Sequence, residues 1–227
     1  MTRQHESSFS AEDRAKAMVL NHLIASKRLA RGSVIATEFV LGKSGTRADL
    51  AVFGETLTGI EIKTAKDTLK RLPTQLPAYR QLCHRTILAI APKHLAGVKM
   101  VGCDDLEIWL LLDDGSVREL SAGTDAARDA AVHSLLTQEE AKKLHRACSG
   151  VAAVRSDQDA LQVLAARYSQ SSRHFWDKVG RRRIKPDDID SLSRFRSQRV
   201  AVAEWQAAQQ EDWRAWQEGA DRFFATA

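Results

Sequence analysis

Apolar and polar positions alternate along this chain in two distinct rhythms. From about Ala11 to Leu29, Ala15, Met18, Val19, His22 and Leu23 recur at helical spacing, and Ser10 with Asp13 supplies an N-terminal cap. Arg31-Gly32-Ser33 ends that pattern, and the β-branched run VIATEFVL predicts a strand beginning near Ile35. GKSG reads as a turn, ADLAVF as a second strand and TGIEIK as a third, with Gly54-Glu55 as the link between them. The period then changes. Leu69, Leu72, Leu76, Tyr79 and Leu82 fall on one side of a helix that Pro73 starts, after a capped turn at Asp67.

TILAIAP predicts a strand buried on both faces, and the residues from His94 to Val101 a short helix. LEIWLLL and SVREL flank Asp114-Gly115, a strong hairpin signal. The resulting order, α-β-β-β-α-β-α-β-β, predicts an α/β layer with one mixed sheet between helices over residues 11–122. Beyond Gly123 the strand pattern stops, and a soft boundary falls near Ala122 to Ala131. An all-helical region over 131–227 follows, opened by a capping box at Thr137 and Glu140.

Composition narrows the classes. The chain has 227 residues, 44% hydrophobic and 28% charged, and no apolar run approaches the roughly 18 residues of a membrane span. The N-terminal segment lacks the apolar core of a secretory signal, so a cytoplasmic protein is expected, with no membrane partner. Cys83, Cys103 and Cys148 are too few and too scattered for a disulfide framework or a metal knuckle. The seven histidines form no zinc-type spacing, and GKSGT lacks the frame of a phosphate-binding loop.

The net charge of +5 is concentrated. Between Ser171 and Arg199, nine Lys/Arg face four acids, a block that fits either a phosphate-binding face or a solvated helix surface. DALQVLAARY and SSRHFWDKVGRRR outline a helix-turn-helix, an outline common to helical bundles in general. In the tail, Val202, Trp205, Gln209, Trp213, Trp216, Ala220 and Phe223/Phe224 form an amphipathic stripe. Such a stripe packs on its own domain or serves a protein partner or homodimer.

Charged residues inside apolar strands need partners. In GIEIK, strand alternation puts Glu61 and Lys63 on one face and Ile60 and Ile62 on the other, and a neighbouring strand can bring Asp49 beside Glu61. Two adjacent carboxylates repel and raise each other's pKa, and a hard divalent cation relieves the repulsion. Lys63 can then orient an attacking water. An ion-pair cluster at the sheet edge is the other reading of the same three residues.

Asp49…Glu61-Ile62-Lys63 resembles the D…(D/E)-x-K signature of the PD-(D/E)XK nuclease superfamily, and the αβββαβ order matches its restriction-endonuclease-like core. Glu38 lies on the strand before Asp49, at the place of an additional acid found in many members. Gln75 and Tyr79 resemble the Q-x-x-x-Y motif of the RecB-like branch, and the stretch from Thr46 to Leu82 is similar to the sce7726 family of bacterial proteins. Ala48 replaces the proline that names the superfamily.

The resemblance implies a Mg²⁺- or Mn²⁺-dependent deoxyribonuclease, in a setting of mobile elements or phage defence. Asp49, Glu61, the Ile62 carbonyl and Glu38 would hold the metal, and Lys63 would position the water. Gln75 and Tyr79 would support the site, and DNA would be the partner. Arg47, Lys66, Lys70 and Arg71, with Arg181, Arg182, Arg183 and Lys185, are the expected phosphate contacts. The alternatives are a catalytically silent protein of the same fold that binds nucleic acid or a protein, and a helical interaction protein organised by the tail.

Overall fold

The computed structural model describes residues 10–123, 130–147 and 157–193, together with Trp205, Gln209, Trp213 and Trp216. Its strands are β1 (Val34–Leu41), β2 (Thr46–Phe53), β3 (Leu57–Lys63), β4 (Arg85–Ile90), β5 (Glu107–Leu111) and β6 (Val117–Ala122). They lie side by side in chain order as one sheet. The β1-β2-β3 meander and the β5-β6 hairpin are antiparallel, while β3-β4 and β4-β5 are parallel. The parallel pairs need crossovers, which the helices provide: α2 (Leu72–Leu82) joins β3 to β4, and α3 (Leu95–Val101) joins β4 to β5. Together with α1 (Ala11–Ala25), this is the expected αβββαβ core with a mixed sheet.

Strand alternation divides the interior into layers. Ile35, Leu50, Ile60, Ile62, Ile87, Ala89 and Trp109 pack against Val19, Leu20 and Leu23 of α1 and Phe175, Trp176 and Val179 of α6 (Ser169–Val179). On the opposite face, Ala36, Phe39, Ala48, Ala51, Phe53 and Leu57 meet Tyr79 and Leu82 of α2 and Leu161 and Leu164 of α5 (Asp157–Ala166). Farther along, Leu88 and Ile90 meet Leu72, Leu76 and Val98. The helices α5 and α6 that outline a helix-turn-helix in the sequence thus cover opposite faces of the sheet. Ser172 of α6 is buried and exchanges hydrogen bonds with the Ile35 main chain.

The expected capping box forms at the start of α4 (Gln138–Ala147): Glu140 accepts the Thr137 N–H and hydroxyl, and Thr137 accepts the Glu140 N–H. Residues Met1–Ser193 make one compact unit and Arg194–Ala227 a second, so α4, α5 and α6 belong to the unit that holds the sheet. In the second unit Trp205, Gln209, Trp213 and Trp216 are helical and exposed, and the rings of Trp213 and Trp216 stack at 5.1 Å. The rest of the stripe, Val202, Ala220 and Phe223/Phe224, lies outside the described residues. Among the described residues, no helix is long and apolar enough to cross a membrane.

Candidate active site

The site starts from a matched irregularity in two strands. On β1, Ala36 and Phe39 face the same apolar layer although they are three residues apart, and on β2 Ala48 and Ala51 do likewise. Strict alternation would put residues three apart on opposite faces. The register runs from Thr37↔Leu50 to Phe39↔Ala48, so Glu38 and Asp49 are the opposed residues at which both strands break step. Glu38 absorbs the break with φ at 53°, a left-handed conformation unfavourable for a residue with a Cβ.

Strand β2 also parts from β3 here. Their main-chain register ends at Leu50↔Ile60, and the next donor, the Ile62 N–H, goes to Asp49 Oδ2 at 2.6 Å. The gap opens a polar cleft of about 510 Å³ whose lining includes Glu12, Glu38, Asp49, Glu61, Lys63 and Gln75.

Three carboxylates converge in that cleft. Oxygens of Glu12, Glu38 and Asp49 all lie within 4.8 Å of one another. Lys16, one helical turn from Glu12 on α1, is 4% exposed. Its ammonium contacts Glu12 and lies 3.0 Å from Glu38 Oε1. Burial alone would lower the Lys16 pKa, but Glu12 and Glu38 together raise it, so this lysine stays charged. Burial, reinforced by Glu61, pushes the Asp49 carboxyl up to about 8, against the stabilising Ile62 N–H and Lys16. A carboxyl that holds its proton this firmly ionises when a cation replaces the proton. An all-oxygen donor set of this kind fits a hard divalent ion such as Mg²⁺ or Mn²⁺.

Glu61 and Lys63 share the cleft-facing side of β3, as alternation requires. Glu61, 1% exposed, is spanned by two donors: Lys63 Nζ at 2.5 Å from Oε1 and the Tyr79 hydroxyl at 2.5 Å from Oε2. Lys63 also donates to Gln75 Oε1 at 3.3 Å. Burial and the nearby Glu61 and Asp49 carboxylates hold the Tyr79 phenol well above its usual pKa, so it acts as a donor. Gln75 and Tyr79, four apart on α2, therefore grip the two charged residues of β3. Glu61 is not a member of the three-carboxylate group. Its oxygens turn toward Lys63 and Tyr79 while its charge still acts on Asp49, and Glu12 is the acid that joins Asp49 and Glu38 in the group.

Arg47 and Arg71 line the cleft, while Lys66 and Lys70 are exposed beyond it. The basic stretch after α6 is partly spent on structure. Arg182 forms a two-pronged ion pair with buried Asp188, at 2.7 and 2.8 Å, and the Arg183 guanidinium reaches the Gly115 carbonyl. Arg181 and Lys185 are exposed.

Glu12 and Lys16 are the site residues that sequence reasoning missed. Near a helix start, Glu12 reads as a favourable partner of the helix dipole, and Glu12/Lys16 as an ordinary surface pair. One signal was available: Lys16 shares its helical face with Leu20 and Leu23, the face that enters the core.

Comparison with known proteins supplies a lineage. The profile of the bacteriophage P4 protein cII family matches residues 5–193. Protein cII of Enterobacteria phage P4 is 31% identical over 108 residues, 47% of this chain and 40% of that relative, so the match spans less than half of the relative's length. A solved structure of a Silicibacter pomeroyi protein of unknown function aligns at 18% identity with a TM-score of 0.43, over 66% of this chain and 99% of its own.

Proposed function

We propose that this chain, which belongs to the bacteriophage P4 protein cII family, is a metal-dependent nuclease that hydrolyses DNA phosphodiester bonds. The observation that carries the reading is the convergence of Glu12, Glu38 and Asp49 within 4.8 Å, in the cleft that Glu61 and Lys63 also line. The resemblance of Asp49…Glu61-Ile62-Lys63, with Gln75 and Tyr79 on α2, to the PD-(D/E)XK pattern supports the same reading.

Glu12, Glu38 and Asp49 would hold Mg²⁺ or Mn²⁺, with the Ile62 carbonyl and Glu61 adjoining. The ion would neutralise charge on the phosphate and acidify water. The remaining work belongs to the chain. Lys63 is fixed between Glu61 and Gln75, so its ammonium points in a set direction, toward the attacking water or the charge growing on the phosphate. Tyr79 holds Glu61 through its other oxygen and so fixes Lys63 indirectly. Arg47 and Arg71 at the rim would seat the flanking phosphates, and the order of attack is water oxygen onto phosphorus as the sugar oxygen leaves.

The test is cleavage of labelled linear, circular and single-stranded DNA with Mg²⁺ or Mn²⁺, comparing the native chain with Lys63→Ala and Asp49→Asn. Metal-dependent cutting that disappears in both variants is expected, and the circular substrate separates internal from terminal attack. Folded protein that binds DNA without cutting any of the three would instead favour the catalytically silent reading.

A further inference from the structure

We infer that the 64–71 loop and α3, with the turn before it, form one basic shelf that takes the phosphate backbone of DNA as it leaves the cleft, and that buried His94 is the positioning residue fastening the two segments together. The inference rests on the DNA-cleavage reading above. It adds the path of the substrate, a phosphate contact at Lys93 and the role of His94.

The two segments are joined at both ends of the loop. Thr64 directly follows Lys63 at the end of β3, and its carbonyl accepts from His94 Nε2 at 2.9 Å. A carbonyl can only accept, so that ring nitrogen carries a proton. His94 and Thr64 are 7% and 8% exposed, so the bond is shielded from water. One residue earlier, the Lys63 carbonyl accepts the Ala91 N–H at 2.8 Å. The loop then closes on itself, with Asp67 Oδ2 accepting the Thr64 N–H and hydroxyl, both at 2.7 Å. Near its other end Leu69 packs on α3 where a side chain is missing: a Cβ on Gly97 would lie 2.7 Å from Leu69 Cδ1.

The joined segments are basic. Lys66, Lys70 and Arg71 are exposed on the loop, and Lys93 is exposed in the turn Pro92–His94. Lys93 immediately precedes His94 and Lys70 immediately follows Leu69, so a cation stands at each point of contact. Asp67 is the acid of these two segments. The next acids along the chain, Asp104 and Asp105, lie past the end of α3, and Asp105 pairs with Arg80. Lys66, Lys70, Arg71 and Lys93 form no ion pair among the described residues. The cluster at the end of α6 differs, because Asp188 holds Lys178 and Arg182 there. Unpaired cations are the ones that take phosphates and release counterions. Asp67 and Arg71 also line the cleft, so the shelf begins at its wall. Lys99, two residues on from Gly97 in α3, falls on the opposite side of that helix.

The experiment measures binding of a labelled duplex to the full chain in EDTA as a function of salt, without reference to cleavage. Lys93→Ala should flatten the salt slope by about one, as should Lys70→Ala, while Lys99→Ala keeps the native slope. His94→Phe should flatten it too, although no lysine is removed, and His94→Gln, which retains a donor for the Thr64 carbonyl, should restore it. Circular dichroism checks that each variant is folded, and the lysine variants carry the test if His94→Phe is not. A native slope in folded Lys93→Ala overturns the inference, and so does a slope that falls equally in Lys99→Ala. A native slope in folded His94→Phe overturns the role of His94. These results leave the nuclease reading standing, since cutting by the native chain is judged separately. A native chain that binds phosphatidylglycerol vesicles but no DNA at any salt concentration removes the DNA partner, and both proposals with it.

Discussion

Glu38 bears a conformational cost that its carboxylate position explains. A residue with a Cβ in the left-handed region is disfavoured by roughly 1–2 kcal/mol, a cost glycine escapes. Glu38→Ala and Glu38→Gly both delete the ion pair with Lys16 and one cluster acid, so they differ chiefly in that cost. The glycine variant should be the more stable by about 1 kcal/mol in urea denaturation, with Mn²⁺ affinity equally weakened in both. Equal stabilities would mean that the strand does not hold residue 38 at positive φ.

Asp49 makes a second prediction, through pH. Its folded pKa of about 8 lies above the ordinary carboxyl value, so between about 4 and 8 the folded chain keeps a proton that the unfolded chain has released. The associated stability is present below about pH 4 and is lost as pH rises through about 8. In EDTA, the native protein should lose stability relative to Asp49→Asn across that window, by at most about 1.4 kcal/mol per pH unit. Parallel pH curves for the two proteins would remove the raised pKa.

At the level of elements, the grip of α2 on β3 depends on a missing side chain. A Cβ built on Gly59 would lie 2.6 Å from Cys83 Sγ and 3.0 Å from the Tyr79 ring. Both neighbours are fully buried, so neither can yield freely. Gly59→Ala should destabilise the protein by roughly 1–3 kcal/mol and push Tyr79 off Glu61, reducing cleavage beyond what the reduced stability accounts for. Retained activity in a destabilised variant would show that the Tyr79–Glu61 hydrogen bond is dispensable. The sequence pattern made this neighbourhood legible because β3 alternates strictly and α2 places Gln75 and Tyr79 one turn apart. It concealed the break in β1 and β2, since no glycine or proline marks Glu38 or Asp49. It also concealed Glu12, whose partners come from two strands well beyond its own helix, so that local spacing shows only a favourable helix start. The amphipathic stripes of α5 and α6 were visible, but a stripe does not say which face of a sheet it covers.

Across the whole molecule, the count of basic residues overstates the charge available to DNA. In the basic cluster at and after the end of α6, Arg182 is committed to buried Asp188, and Lys178, in the last turn of α6, donates to the Asp187 carbonyl while lying 3.4 Å from Asp188. Arg31 is spent on the carbonyls of Gly180, Arg181 and Arg182. These hydrogen bonds close the chain over the α6 terminus and α1, where Asn21 also bonds both ways with the Ile184 main chain. Arg47 and Arg71, at the cleft, have no ion pair among the described residues. Cations already paired within the protein release few counterions on binding, whereas each unpaired cation that neutralises a phosphate adds about one to the salt slope. DNA affinity measured in EDTA against salt concentration should therefore separate the two groups. Arg47→Ala and Arg71→Ala should each flatten the slope by about one while the melting temperature stays near the native value. Arg182→Ala should keep the native slope but lower the melting temperature, because it strips buried Asp188 of a two-pronged partner. The reverse pattern would favour the segment after α6 over the cleft rim as the surface for the proposed DNA partner.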